Sequence, residues 1–351
     1  MAYAERIITI REIERLRGSQ VICYLTSVRP GTPSMMAEDQ VRVFFDHLQG
    51  LPQRPAEKLD IFLCSNGGSG TVPWRLVALF REFAKSFNVL IPYRAYSAAS
   101  LLALGADEIV MHPFAELGPI DPTVSNEFNP VEAGTGRRLG ISVEDVRAYV
   151  SFIKDTVGIT HEDELVQAIK ILAEKVHPLS LGNVERFVMQ SRMTAKKILK
   201  THMASKSNDH EVSEIVETMA SKLYFHGHPI NRKEAKDDLK LKVVETAPGE
   251  LETLMWSLYR DFEAEFQSRE EFNPTMLLAN APVPNPPGPV RITADLLHAV
   301  IEDTRRSSTC RSSRRYTKTA VGPGQYLVEE EPLSQGWTSS TAPAPAPAAQ
   351  P

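Results

Sequence analysis

The sequence has few cysteines, and this excludes two kinds of stabilised fold. Its 351 residues include only three, Cys23, Cys64 and Cys310. They form neither a spaced pair nor a metal-like cluster, so we predict neither a disulfide framework nor a zinc site. Cys23 and Cys64 lie within apolar runs, a position that favours small buried side chains over reactive thiols.

Long hydrophobic runs are also missing. No stretch approaches the roughly 18 consecutive apolar residues that a membrane-spanning helix needs. The first 18 residues alternate charged and apolar side chains and lack the continuous apolar segment of a signal peptide. We therefore expect a soluble, cytoplasmic protein without a transmembrane segment, while a membrane protein remains open as a partner.

The charge balance and the glycine and histidine patterns exclude further classes. A net charge of −5 gives no reason to expect nucleic acid as a partner. The chain has no G-x-G-x-x-G fingerprint, and no Lys-Ser/Thr follows its Gly-Gly pair, so no nucleotide cofactor is predicted. The nine histidines show no metal-like spacing. We predict neither a cofactor nor a metal site.

The pattern of apolar and polar residues divides the chain into an N-terminal segment, 1–18, followed by three zones. Residues 19–125 alternate strand-like runs, such as Gln20–Val28 and Leu59–Cys64, with amphipathic helical stretches, a pattern that indicates parallel α/β structure. Residues 126–267 are mainly helical, and Asn231 with Glu234 predicts the start of one short helix.

The third zone, residues 268–351, is rich in Pro, Ala and Ser. Two Pro-rich stretches, 281–290 and 341–351, enclose the basic cluster Arg305–Arg315. This composition predicts a disordered, solvated tail. The alternative is a docking segment in which Ile292–Ile301 forms a short amphipathic helix on a partner.

The residues that suggest chemistry lie between positions 60 and 122. Ser97 follows a strand and precedes a small-residue helix, where free backbone N–H groups favour negative charge. Taken alone, Ser97 is better explained as a helix cap than as a nucleophile. Gly67 and Gly68 also follow a strand, and such a loop either makes a tight turn or directs N–H groups at an oxyanion.

Together these motifs resemble the serine dehydrogenase proteinase family, whose relatives include signal peptide peptidase A and the Clp peptidase. The resemblance covers residues 20–267, and no single motif within it is specific. The segments that carry it are SNGG (65–68), VLIPYRAYSAASLLALGADEIVMHP (89–113), LGPIDP (117–122), HPLSLGNVERFVMQSRM (177–193), KLYFHGHPINRKEAK (222–236) and MWSLYRDFEAEF (255–266).

The resemblance implies a set of site residues. It makes Ser97 the nucleophile and the N–H groups of Gly67, Gly68 and Ala98 the oxyanion donors. Its Ser, Asp, His chain order points to Asp121 and His226 as the remaining members of a triad. Rival residues are Ser100 for the nucleophile, Asp107 for the acid, and His228, His112 and Lys154 for the base.

The chain departs from the family pattern in three respects, one of which is a helix-side spacing that differs from that of the Clp peptidase. Ala98 and Ala99 stand where glycines usually follow the serine, and Asn66 stands where a proline is common. These two substitutions leave backbone donors available, so serine hydrolase activity is possible.

The implied fold is a Clp/crotonase-like right-handed ββα superhelix with a helical C-terminal part, and the implied assembly is a homo-oligomer. The implied activity is that of a serine peptidase acting on a peptide or protein substrate. Two alternatives stand beside it: an inactive relative that serves as a binding or assembly module, and a crotonase-like acyl-CoA enzyme.

Overall fold

The computed structural model describes residues 3–121, 123–124, 127–132, 136, 138–203, 208–223, 227–245, 249–282, 288–322 and 325–342. The strands are β1 Gln20–Thr26, β2 Ala56–Cys64, β3 Ala84–Ile91, β4 Arg94–Ala95, β5 Glu108–Met111, β6 Glu116–Leu117, β7 Thr123–Val124, β8 Ile141–Ser142, β9 Ile230–Asn231, β10 Val243–Glu245, β11 Val290–Glu302, β12 Arg306–Gly322 and β13 Gln325–Thr341.

The helices frame these strands. They are α1 Tyr3–Arg17, α2 Asp39–Gln49, α3 Val72–Phe83, α4 Ala98–Ala103, α5 Val143–Ser151, α6 Glu162–Lys175, α7 Pro178–Leu199, α8 Asp209–Glu217, α9 Arg232–Asp237, α10 Glu250–Glu265 and α11 Pro274–Asn280. Two π-helical turns, Phe152–Thr156 and Thr218–Lys222, extend α5 and α8. Among these residues, no helix is both long enough and apolar enough to cross a membrane.

The centre of the fold is an eight-stranded sheet in the order β10-β5-β3-β2-β1-β11-β12-β13. The first five strands of that order are mutually parallel, and the last three are antiparallel. The coarse prediction of an α/β fold is therefore confirmed. The segments 21–25 of β1, 61–64 of β2 and 89–91 of β3 are continuous apolar runs, as expected of strands whose two faces are both covered.

Alternate residues of these strands feed two separate cores. On one face Ile22 and Tyr24 of β1 pack with α2, α3, α4 and α7. On the other face Val21 and Cys23 pack against α1 and α10. Since side chains alternate across a strand, this division follows directly from the pleat.

The C-terminal prediction needs correction. Residues 290–341, expected to be a disordered tail, contain the three longest strands of the sheet. The segment Ile292–Ile301 lies within β11 and is not a helix. Its Leu297 and Val300 enter one core and Ile301 the other, so β11 covers the edge of β1.

Cross-strand pairing explains why a basic, Ser-rich segment folds here. Arg314 forms an ion pair with Glu330, and Arg315 with Glu331, at 2.6 and 2.8 Å. Opposite charges facing each other on neighbouring strands stabilise the pair. Composition alone could not reveal this, because the acidic partners lie 16 residues further along the chain.

Candidate functional site

Ser97 occupies the sharp connection between β4 and α4. Its backbone has φ 53° and ψ −116°, a region that costs a non-glycine residue about 1–3 kcal/mol. The side chain makes no capping hydrogen bond to the helix. The cap interpretation therefore does not describe this serine. A strained strand-to-helix turn that presents a hydroxyl is the arrangement expected of an exposed nucleophile.

The diglycine turn lies directly beside this serine. A Cβ atom at Gly67 would stand 2.9 Å from the Cβ of Ser97 and 2.5 Å from the carbonyl oxygen of Tyr96. Gly67 also has φ +90°. Both the contact and the dihedral angle require glycine, because any side chain would push the turn away from Ser97.

One of the three expected backbone donors, Gly67, is already engaged. The Gly67 N–H donates to Ser65 Oγ at 3.1 Å, and this hydroxyl lies 2.8 Å from Thr26 Oγ1. Gly67 is thus not free to bind an oxyanion. Among the described residues, no hydrogen-bond acceptor faces the N–H of Gly68 or the N–H of Ala98, at the first position of α4. The geometry leaves these two donors next to Ser97.

A cavity of about 540 Å³ opens in front of Ser97. Apolar side chains from four parts of the chain line it, namely Met35, Leu101, Ile120 and Phe187. The polar side chains around it are Glu38, Ser69, Thr71, Gln190 and Ser191. A mostly apolar pocket with a few polar groups is the usual form of a binding site.

Asp121 lies just behind the cavity wall. It is buried and follows Ile120, whose carbonyl oxygen accepts a 2.7 Å hydrogen bond from Ser191 Oγ. Asp121 itself does not line the cavity. His226, predicted to be the base, lies outside the described residues. The Ser97, Asp121 and His226 triad thus remains a prediction.

Two rival residues have structural roles. Ser100 is buried, donates to the Ala95 carbonyl oxygen at 2.6 Å and accepts from the Gly118 N–H at 3.0 Å, so its hydroxyl is fully engaged. Asp107 accepts two hydrogen bonds from Arg81, at 2.7 and 2.9 Å. Burial opposes ionisation of Asp107, but these bonds outweigh it and lower the pKa of the carboxyl.

The rival bases also lie elsewhere. His228 pairs with Glu234 at 2.8 Å, and Lys154 is exposed on a π-helical turn. His112 stacks on Trp256 with ring centroids 5.1 Å apart, in a groove on the opposite side of the sheet, and burial lowers its pKa. None of the three lines the cavity in front of Ser97.

The sequence analysis missed one buried polar residue near the site, Gln40. It lies in the first turn of α2, four residues before the core residue Phe44. The signal was an uncharged polar side chain on an otherwise apolar helix stripe, which predicts a hydrogen-bonding role without specifying the partner.

The sequence of this chain is similar to those of two curated proteins from Methanocaldococcus jannaschii. Uncharacterized protein MJ1495 is 31% identical over 128 residues, which are 34% of this chain and 42% of that protein. Uncharacterized protein MJ0137 is 24% identical over 265 residues, 73% of this chain and 78% of that protein. The chain thus spans less than half the length of the first relative.

A solved structure and a family also match. A mutant of the 1510-N membrane-bound stomatin-specific protease aligns with 65% of this chain and 81% of its own, at 13% identity and a TM-score of 0.36. The resemblance inferred from the sequence motifs is confirmed, since residues 1–133, which include Ser97 and the diglycine turn, match the model of the ClpP-like SDH-type serine proteinases.

Proposed function

We propose that this protein is a serine peptidase whose nucleophile is Ser97. The observation that carries the proposal is the strained Ser97, whose hydroxyl is open to the cavity and lies next to the N–H groups of Gly68 and Ala98, for which no described residue supplies an acceptor. Acyl transfer requires a nucleophilic hydroxyl, hydrogen-bond donors for the oxyanion and space for the substrate at one site. The match of residues 1–133 to a serine proteinase family supports the same reading.

In the proposed reaction, Ser97 Oγ attacks a substrate carbonyl and its proton passes to His226. The N–H groups of Gly68 and Ala98 bind the oxygen as it becomes negative. His226 then gives the proton to the leaving amine, and Asp121 holds the imidazole in the productive tautomer. Water attacks the acyl-enzyme in a second round and releases the product.

The lining of the cavity suggests the substrate class. Met35, Leu101 and Phe187 present apolar atoms on three sides of Ser97. A pocket of this kind favours a peptide whose acyl side chain is apolar, because burial of such a side chain is worth roughly 1.5–3 kcal/mol. The substrate in this proposal is therefore a peptide or protein segment with an apolar residue before the cleaved bond.

The test is labelling by a fluorophosphonate, which reacts with activated serines. We expect the wild-type protein to label and Ser97→Ala to remain unlabelled. Ser69→Ala is the matched control, because Ser69 lines the same cavity but has Thr71 as a hydrogen-bond partner at 2.9 Å. Equal labelling of wild type and Ser97→Ala, or no labelling of either, contradicts the proposal.

A further inference from the structure

The peptide unit between Gly67 and Gly68 has a fixed orientation. The carbonyl oxygen of Gly67 accepts a 2.7 Å hydrogen bond from the Met36 N–H. In a trans peptide the C=O and the following N–H point in opposite directions. Since the carbonyl points at Met36, the N–H of Gly68 must point away from Met36.

Met36 holds the turn from both sides of Gly68. Its N–H binds the Gly67 carbonyl, and its own carbonyl accepts from the Ser69 N–H at 2.9 Å. A Cβ at Gly68 would stand 2.3 Å from the Met36 oxygen, so the two backbones are in direct contact. The direction of the Gly68 N–H therefore depends on where the Met36 backbone lies.

Gln40 fixes that backbone. Its Oε1 accepts from the Ala37 N–H at 3.1 Å, and its Nε2 donates to the Met35 carbonyl oxygen at 3.1 Å. One amide thus holds the residues on either side of Met36. The hydroxyl of Tyr24, on β1, donates to the same Oε1. Gln40 is 3% exposed and Tyr24 is fully buried, so water does not compete for these bonds.

We infer that Gln40, supported by Tyr24, is a positioning residue for the oxyanion donor at Gly68. It acts through Met36 and touches neither the substrate nor Ser97. This inference depends on the proposed function, because it concerns the direction of one of the proposed donors. Correct orientation of the Gly68 N–H stabilises the transition state, in which the oxyanion forms, and not the ground state.

The experiment measures fluorophosphonate labelling at a series of probe concentrations, which separates the maximal labelling rate from the half-saturating concentration. In Gln40→Met the side chain keeps its length but loses all three bonds. We expect the maximal rate to fall at least about tenfold, towards the 10²–10³-fold loss that follows removal of an oxyanion donor. The half-saturating concentration should change less than the maximal rate, because Leu101, Ile120 and Phe187 line the cavity from other parts of the chain.

Gln49→Met is the matched control, since Gln49 lies at the exposed end of the same helix and should label like wild type. Thermal unfolding of each variant shows whether the fold persists. If Gln40→Met does not fold, Gln40→Glu replaces it. A neutral carboxyl can donate to Met35 and a carboxylate cannot, so labelling of Gln40→Glu relative to wild type should rise as the pH is lowered.

The outcomes separate the two proposals. Folded Gln40→Met that labels at the wild-type maximal rate, or Gln40→Glu whose ratio to wild type does not change with pH, overturns the positioning role and leaves the peptidase proposal intact. Wild-type protein that labels no better than Ser97→Ala overturns the proposed function and this inference with it. A parallel loss in Gln49→Met would also contradict the inference.

Discussion

At the scale of residues, the central feature of the candidate site is the contact between Gly67 and Ser97. The sequence predicted that these two residues would be neighbours, from the order of motifs and the family resemblance, and the structure places them in contact. Of the three predicted oxyanion donors, Gly67, Gly68 and Ala98, only Gly67 needs correction. The hydroxyl of Ser65 accepts a hydrogen bond from the Gly67 N–H, in a local serine turn that the sequence analysis did not consider.

Gly67→Ala tests how closely the turn must approach Ser97. The added Cβ would meet the Tyr96 oxygen and the Ala98 nitrogen at 2.5 and 2.9 Å, in a backbone conformation unfavourable to alanine. We expect the free energy of unfolding to fall by more than about 1 kcal/mol and fluorophosphonate labelling to be lost. Both can be measured on one preparation, by urea unfolding and by labelling.

Gly70→Ala is the control for that experiment. Gly70 lies in the same loop, and a Cβ there would meet no atom within 4 Å. It should label and unfold like wild type. Similar behaviour of the two variants would show that the turn tolerates a side chain beside Ser97.

His226 is the second residue to test. As the proposed base it is expected to be essential, so His226→Gln should lower the labelling rate by about 10³-fold or more, as removal of a triad member does. His228→Gln is the control, because His228 pairs with Glu234 and does not line the cavity. A larger loss in His228→Gln than in His226→Gln would reverse the assignment.

At the scale of elements, the sequence predicted correctly those strands and helix caps that neighbouring residues determine. The run Leu59–Cys64 lies within β2, and Asn231 caps α9 by accepting from the N–H groups of Lys233 and Glu234, as predicted. The hairpins of β11, β12 and β13 were missed. Their stability depends on pairing with β1, which lies more than 260 residues earlier, and no local pattern contains that information.

A buried relay attaches these hairpins to α2. His47 Nδ1 lies 2.8 Å from Asp303 Oδ2, and His47 Nε2 lies 3.0 Å from Ser308 Oγ. Asp303 also accepts from Arg305 at 2.8 Å. These side chains have the residue types of a catalytic triad, but His47, Asp303 and Ser308 are each at most 1% exposed. The relay therefore stabilises the turn between β11 and β12.

This relay predicts a pH dependence of stability. Burial alone would raise the pKa of Asp303, but hydrogen bonds from His47 and Arg305 outweigh it and bring the pKa to about 2. An unfolded aspartate has a pKa near 3.9. The stabilisation of the folded state by ionised Asp303 is therefore complete above about pH 4 and is lost as the pH falls through 2.

We expect this contribution to be roughly 2–3 kcal/mol, and Asp303→Asn should lack it. Urea unfolding of wild type and variant between pH 2 and pH 5 measures it. The two free energies should converge as the pH falls towards 2. Asp237→Asn, an exposed change on α9, should follow wild type throughout. A difference between wild type and Asp303→Asn that does not change with pH would contradict the assignment.

At the scale of the whole molecule, α6 and α7 present an unusual surface. None of the residues of α6 is buried, although Val166, Ile169 and Ile171 are apolar. Phe187 and Met189 of α7 are exposed as well. Monomeric proteins rarely expose more than a few hundred Å² of contiguous apolar surface. This supports the homo-oligomer predicted from the sequence, while the ββα superhelix stays a prediction.

Ile169→Glu combined with Ile171→Glu tests the oligomer. Two charges on this helix would have to be desolvated in an interface, so we expect dissociation to a smaller species in size-exclusion chromatography with light scattering. Lys170→Glu, between the two positions, is the control for the added negative charge and should keep the wild-type mass. If the double variant also keeps that mass, α6 is not the interface.

The position of β11 beside β1 has a consequence for synthesis on the ribosome. The strand that covers the β1 edge begins at Val290, whereas β1 is complete at Thr26. At 5–20 residues per second, roughly 10–50 s separate the emergence of the two strands. During that interval the nascent sheet has an unpaired, apolar margin, which is the kind of edge that recruits other chains. We therefore expect correct folding of the nascent chain to depend most on chaperones during the interval before the C-terminal hairpins emerge from the ribosome.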